Sequence, residues 1–86
     1  MYFVHLSQEA DKFLSKLDKH IRDRIKDRLK KLGEKPIPSD SKFIQRDGTD
    51  MIFRYRIGEY RALYKIKHKE GIVLIAKIDK RSKVYD

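Results

Sequence analysis

The stretch FRYRIGEYRALYKIK, residues 53–67, carries five positive charges and a single acid. On either side of Gly58-Glu59, aromatic or aliphatic residues alternate with basic ones, the period of two that marks a half-buried strand. A two-residue loop with glycine first is what a type II′ hairpin turn requires. Such a turn sets the register, so Ile57 faces Tyr60, Arg56 faces Arg61, Tyr55 faces Ala62, Arg54 faces Leu63 and Phe53 faces Tyr64. Phe53, Tyr55, Ile57, Tyr60, Ala62, Tyr64 and Ile66 then share one face. Arg54, Arg56, Arg61, Leu63, Lys65 and Lys67 share the other. Arg56 and Arg61 stand directly opposite, with Cβ atoms roughly 5 Å apart, and like charges so placed are destabilising. Open solvent or a bound anion relieves that repulsion, and a forked guanidinium suits phosphate oxygens best. The alternative is an exposed sheet face on which arginines only keep the protein soluble and its edges unpaired.

Working outward, IVLIAKI (72–78) is almost continuously apolar and reads as a central strand covered on both faces. MIFRYRI (51–57) and YRALYKIK (60–67) complete a three-stranded meander, with turns at DGTD (47–50) and HKEG (68–71). EKPIPSDSK (34–42) reads as a polar linker. At the other end, YFVHL (2–6) is a short strand, and Ser7 is placed to cap a helix with Gln8 and Glu9 in its first turn. Apolar residues recur at Ala10, Phe13, Leu14, Leu17, Ile21, Ile25, Leu29 and Leu32, one face of a helical pattern that Gly33 ends and Pro36 and Pro38 keep from restarting. One helix of that length would span about 37 Å, long for so small a domain. A break near Asp18–His20 gives a helical hairpin instead. The fold class expected is α+β: an N-terminal strand, a helical hairpin and a three-stranded antiparallel meander, forming a small twisted sheet with helices on one face.

The 86 residues suffice for one domain, 1–86, with one modest core. No cysteine is present, which excludes a disulfide framework and a Cys-based zinc site. No apolar run reaches the length of a membrane span and no charged-then-apolar leader opens the chain, so a cytoplasmic protein without a membrane partner is expected. The 22 basic residues against 13 acidic ones give +9, which points to a polyanion as partner. Charged residues make up 41% and asparagine is absent, a composition that fits a heat-adapted source. The excess is uneven: residues 1–50 hold 12 basic and 9 acidic groups, residues 51–86 hold 10 and 4. The C-terminal part is therefore where a site is sought.

These residues resemble the RelE-like toxins of bacterial and archaeal toxin–antitoxin pairs. The resemblance begins with a short strand and a helix start of the form S-x-x-A-x-x-x-L-x-x-L, here Ser7, Ala10, Leu14 and Leu17. It continues with a second helix that ends before a proline, here Pro36. R-x-R-I-G-E-Y-R-A-L-Y is close to the family's R-x-R-x-G-x-Y-R-x-x-Y, and K-R-S-K-V-Y is similar to its H-R-x-x-V-Y. The resemblance implies two helices on a small, mostly antiparallel sheet, and a metal-independent endoribonuclease without cofactor that cuts messenger RNA in the ribosomal A site. It implies a small acidic RelB-like antitoxin as partner, beside the ribosome and mRNA. By the same match, Arg54 and Arg56 line the RNA cleft and Arg61 meets the scissile phosphate. Arg81 is the arginine of the terminal motif, and Tyr85 stacks on a base or relays a proton. Lys42, Arg46, Lys65, Lys80 and Lys83 are assigned as further RNA contacts. Lys80 departs from the family pattern, standing where many members carry a histidine.

Metal-free RNA cleavage uses the 2′-hydroxyl as nucleophile. It needs a group to take that proton, cations on the phosphoryl oxygens and a proton for the leaving 5′ oxygen. Arginines suit the second task and are poor proton shuttles. His5, His20 and His68 show no spacing that joins any two. Tyr85 and Lys80 remain as the candidates for moving the proton. Two other readings stay open: a ParE-like toxin that inhibits gyrase on the same fold, and a basic RNA-binding module without catalysis.

Overall fold

The computed structural model describes residues 1–80, and the elements in chain order are β1 (Phe3–Leu6), α1 (Gln8–Ser15), α2 (Lys19–Lys30), β2 (Ser41–Asp47), β3 (Asp50–Ile57), β4 (Tyr60–Lys67) and β5 (Ile72–Lys80). The five strands form one sheet in the order β1-β5-β4-β3-β2. β1 lies parallel to β5, and the other neighbours are antiparallel. The α+β class holds, with the meander four strands long rather than three.

The additional strand is β2, which covers the end of the expected linker. As an edge strand it is mostly exposed, and its register slips between Phe43 and Gln45. A strand exposed on both faces and bulged has no alternating hydrophobic pattern to read. Its pairing with β3 closes at Asp47 and Asp50, across the turn at 47–50.

The helical pattern is broken where compactness requires it. Ser7 caps α1, its Oγ accepting the Ala10 N–H at 3.0 Å, and also donates to the Ala76 carbonyl of β5 at 2.7 Å. Asp18 leaves the helical region with ψ 148° and α2 begins at Lys19. No glycine or proline causes this break. A single straight rod of about 37 Å would outrun the molecule's longest dimension of 35 Å. Two shorter helices instead lay Ala10, Leu14, Ile25 and Leu29 over the sheet. A single 3-10 turn, Lys31–Gly33, follows α2. There the Gly33 carbonyl accepts the Tyr2 N–H at 2.7 Å. A Cβ on Gly33 would stand 2.7 Å from the Tyr2 carbonyl oxygen, so this close approach needs glycine.

The core lies between the helices and the face of the sheet that carries Phe53, Tyr55, Ile57, Tyr60, Ala62, Tyr64 and Ile66, all buried. Phe53 and Tyr64 stack with ring centroids 5.5 Å apart, and Tyr55 meets Tyr64 edge-on at 6.2 Å. Tyr64 donates its hydroxyl to the Pro36 carbonyl at 2.6 Å, which ties the loop after α2 to the sheet. Burial pushes the Tyr64 phenol up to about 12. β5 does not meet the expectation of cover on both faces. Val73, Ile75 and Ile78 are buried, whereas Ile72 and Leu74 are half-buried and Ala76 is exposed. Its nearly continuous apolar run reflects an inner position in the sheet, not a second layer.

Candidate nucleic-acid interface

The hairpin at Gly58 forms with the expected register, from Phe53↔Tyr64 through Arg56↔Arg61 to Ile57↔Tyr60. Gly58 has φ +59°, the sign the first loop position demands and one that L side chains rarely adopt. The basic residues therefore lie on the sheet face turned away from the helices. β2 and β5 extend that face. Lys42 sits opposite Arg54, Lys77 opposite Leu63, and Asp79 opposite Arg61.

Charge on this face is polarised along the strands. Toward the far end from Gly58, Lys65 meets Asp47 at 2.7 Å and Lys67 meets Asp50 at 3.6 Å. The hydrogen bond from Lys65 holds the Asp47 carboxyl below the usual carboxylate range and holds Lys65 above its own. Toward the Gly58 end, Lys42, Arg54, Arg56, Arg61 and Lys77 share the face with one carboxylate among the described residues, Asp79. An anion reaching this sheet is drawn to the hairpin end.

The two opposed arginines settle their repulsion unequally. Arg61 is only 6% exposed. Its Nη1 donates to the Gly58 carbonyl at 2.8 Å and to the Tyr60 carbonyl at 2.9 Å, so its positive charge closes the turn. These contacts give Arg61 a place in the turn that the strand pattern alone does not indicate. Arg56 is exposed, and its guanidinium has no side-chain partner among the described residues. Both main-chain groups of Arg56 are nonetheless held: its N–H donates to the Asp40 carbonyl at 3.1 Å, and its carbonyl accepts from Arg28 Nη2 at 3.2 Å.

Of the other expected contacts, Lys42 joins Arg54 and Arg56 on the open face. Lys65 is on that face with its ammonium taken by Asp47. Arg46 is not part of the group: the bulge in β2 places it opposite Met51, on the helix side of the sheet. Lys80 lies opposite Tyr60 and so also shares the helix-side face, not that of Arg56 and Arg61. Arg81, Lys83 and Tyr85 lie outside the described residues. Lys77 was missed because it interrupts an apolar run, and Arg28 because it sits on a helix far away in sequence. The histidines stay apart: His68 Nδ1 pairs with the Tyr2 hydroxyl at 2.9 Å, and His5 and His20 are exposed on other elements. Among the described residues no group of three or more His, Cys, Asp or Glu side chains is placed to hold a metal. No helix among them is long and apolar enough to cross a membrane.

Residues 4–85 match the family described as ParE toxin of type II toxin-antitoxin system, parDE. A Methanocaldococcus jannaschii protein named as a toxin, RelE1, is 30% identical over 83 residues, which is 95% of this chain and 92% of that protein. The fold is similar to that in an archaeal RelE-RelB complex from Pyrococcus horikoshii OT3, with TM-score 0.85 and 26% identity over 96% of this chain and 98% of that one. It is also similar to that in the toxin-antitoxin complex RelBE2 from Mycobacterium tuberculosis, with TM-score 0.76 and 29% identity over 93% and 98% of the two chains.

Proposed function

Because the chain belongs to the ParE toxin family of type II toxin–antitoxin systems and is a RelE-like toxin, we propose that it arrests translation by cutting messenger RNA in the ribosomal A site. The observation that carries this reading is the cationic end of the open sheet face, where exposed Arg56 stands opposite Arg61 with Arg54 and Lys42 beside them. Arg54, Arg56 and Lys42 hold the RNA backbone by its phosphate oxygens. Arg61 supports the turn, and its positive charge stabilises the scissile phosphate. Arg81 and Tyr85, which follow β5 directly in sequence, complete the site, with Arg81 on the phosphate and Tyr85 moving the proton. Lys83 is a further backbone contact.

The reaction is attack of the 2′-oxygen on the adjacent phosphorus. The P–O5′ bond breaks, leaving a 2′,3′-cyclic phosphate and a 5′-hydroxyl. Cations at the phosphoryl oxygens stabilise the charge that grows there. Arginines are poor at proton transfer, so this centre is strong in electrostatics and weak in acid–base chemistry. Such a site works on RNA already bent into line for attack, a geometry the ribosome supplies. The protein acts in the cytoplasm on translating ribosomes. A small acidic antitoxin is its partner, a proposal supported by the charge of +9 and by neighbours solved with their antitoxins.

Adding the protein to a translating extract and mapping message ends tests this. Codon-phased cuts confined to translated regions are expected, with free RNA left intact at catalytic enzyme levels. Rapid turnover of naked RNA would overturn the ribosome requirement, and intact messages under arrested translation would overturn cleavage. A gyrase-inhibiting toxin is the second reading, favoured by the ParE description of the matching family. It predicts DNA damage with messages intact, and toxicity that survives Arg56→Ala.

A further inference from the structure

Arg56 is the residue at which β3 outruns its neighbour. β2 begins at Ser41, opposite Tyr55, so no strand residue is left to bond Arg56 on that side. An antiparallel residue points both its N–H and its carbonyl to the same neighbour. For Arg56 the strand neighbour stops one residue short, and its place is taken by Asp40, directly before β2, and by Arg28 from α2. Asp40 supplies its main-chain carbonyl to the Arg56 N–H at 3.1 Å. Arg28, in the last turn of α2, supplies Nη2 to the Arg56 carbonyl at 3.2 Å.

Arg28 is itself fixed from three sides. The same Nη2 meets the Asp40 carboxylate at 3.0 Å, Nε donates to the Tyr55 hydroxyl at 3.2 Å, and the guanidinium carbon lies 5.3 Å from the centre of the Tyr55 ring. One planar fork thus joins α2, the loop before β2 and the end of β3. Its charge is directed at Asp40, so it does not add to the cationic face. Its geometric effect is to fix the main chain directly beneath the exposed guanidinium of Arg56.

We propose that Arg28 and Asp40 are positioning residues for Arg56, acting through its main chain to hold its guanidinium where an RNA phosphate is gripped. This rests on the reading that Arg56 contacts RNA. A lysine at position 28 keeps the charge and the aliphatic stem but cannot span a hydroxyl, a carboxylate and a carbonyl together.

The test pairs a measurement that needs no ligand with one that does. In Arg28→Lys, hydrogen exchange at the Arg56 amide is expected to speed up about tenfold while that of Tyr64 is unchanged, a local opening rather than global loss. Affinity for a non-cleavable oligodeoxynucleotide is expected to fall about fivefold in Arg28→Lys, and less than about twofold when the change is made in Arg56→Ala, because the two act as one unit. Asp40→Asn, which keeps the main-chain carbonyl, is expected to show a weaker form of the same pattern. Equal losses in both backgrounds, or unaltered exchange at Arg56, would overturn the positioning role. A wild-type protein that fails to bind the oligonucleotide would overturn the RNA reading instead, and with it the purpose assigned to the positioning. The exchange data tell these failures apart.

Discussion

Arg56 and Arg61 face each other across the β3–β4 ladder, yet one guanidinium is open to solvent and the other is folded onto the turn that joins their strands. Two like charges at this spacing repel. The hairpin relieves the repulsion by giving one of them a pair of main-chain carbonyls, which leaves the other free to receive an external anion.

This division predicts different outcomes for the two truncations. Arg56→Ala should shift the unfolding free energy by less than about 0.5 kcal/mol, as exposed substitutions usually do. Arg61→Ala takes a buried donor from the Gly58 and Tyr60 carbonyls, and should cost about 1–3 kcal/mol. Urea denaturation separates them. Matching midpoints would mean that the contacts of Arg61 at the turn contribute nothing to the fold.

The polarised charge predicts which cations respond to salt. For single-stranded RNA, each phosphate neutralised adds about −0.7 to the slope of log affinity against log salt. Arg56→Ala should reduce the slope by about that amount. Lys65→Ala should leave it nearly unchanged, because Asp47 already neutralises Lys65. A larger effect at Lys65 than at Arg56 would place the RNA at the wrong end of the sheet.

Tyr64 predicts an alkaline limit to stability. Burial raises its phenol from 10.0 to about 12 in the folded protein. Above its ordinary value the unfolded chain ionises first while the native state keeps its proton, so stability falls as pH rises through this window. The loss is on the order of 2 kcal/mol for a shift of this size. Tyr64→Phe should be less stable at neutral pH, since the Pro36 carbonyl loses its donor, and should lack this part of the alkaline slope. Parallel pH profiles for the two proteins would refute the assignment.

Gly58 predicts a cost that comes from the backbone alone. No atom lies within 4 Å of a Cβ placed there, while φ is +59°. Gly58→Ala should therefore destabilise by about 1–2 kcal/mol through left-handed strain. Thermal unfolding checks this. A neutral result would mean that the turn relaxes to another type.

Where local chemistry was decisive, the sequence was legible. The glycine-first loop between alternating strands set five cross-strand pairs, and Ser7 marked the start of α1. Legibility ended where neighbours far apart in sequence decide the outcome. β2 has no face of its own to bury and exists because β3 offers it an edge. The bulge at Phe43/Gln45 moved Arg46 to the helix side. The register of β5 against β4 moved Lys80 to the face of Tyr60 and brought Lys77 and Asp79 onto the open face.

The amino-acid sequence by itself determined that a basic hairpin exists, which residues it pairs and which side it buries, because a two-residue turn and a pleat of period two are local geometry. Only the tertiary structure decided that Arg61 is engaged and Arg56 available, that Asp47 and Asp50 neutralise one end of the ladder, and that Arg28 reaches from a helix to hold Arg56 from behind. Those outcomes depend on which carbonyls and carboxylates the folded chain brings within about 3 Å of a cation, and no spacing along the chain encodes that distance.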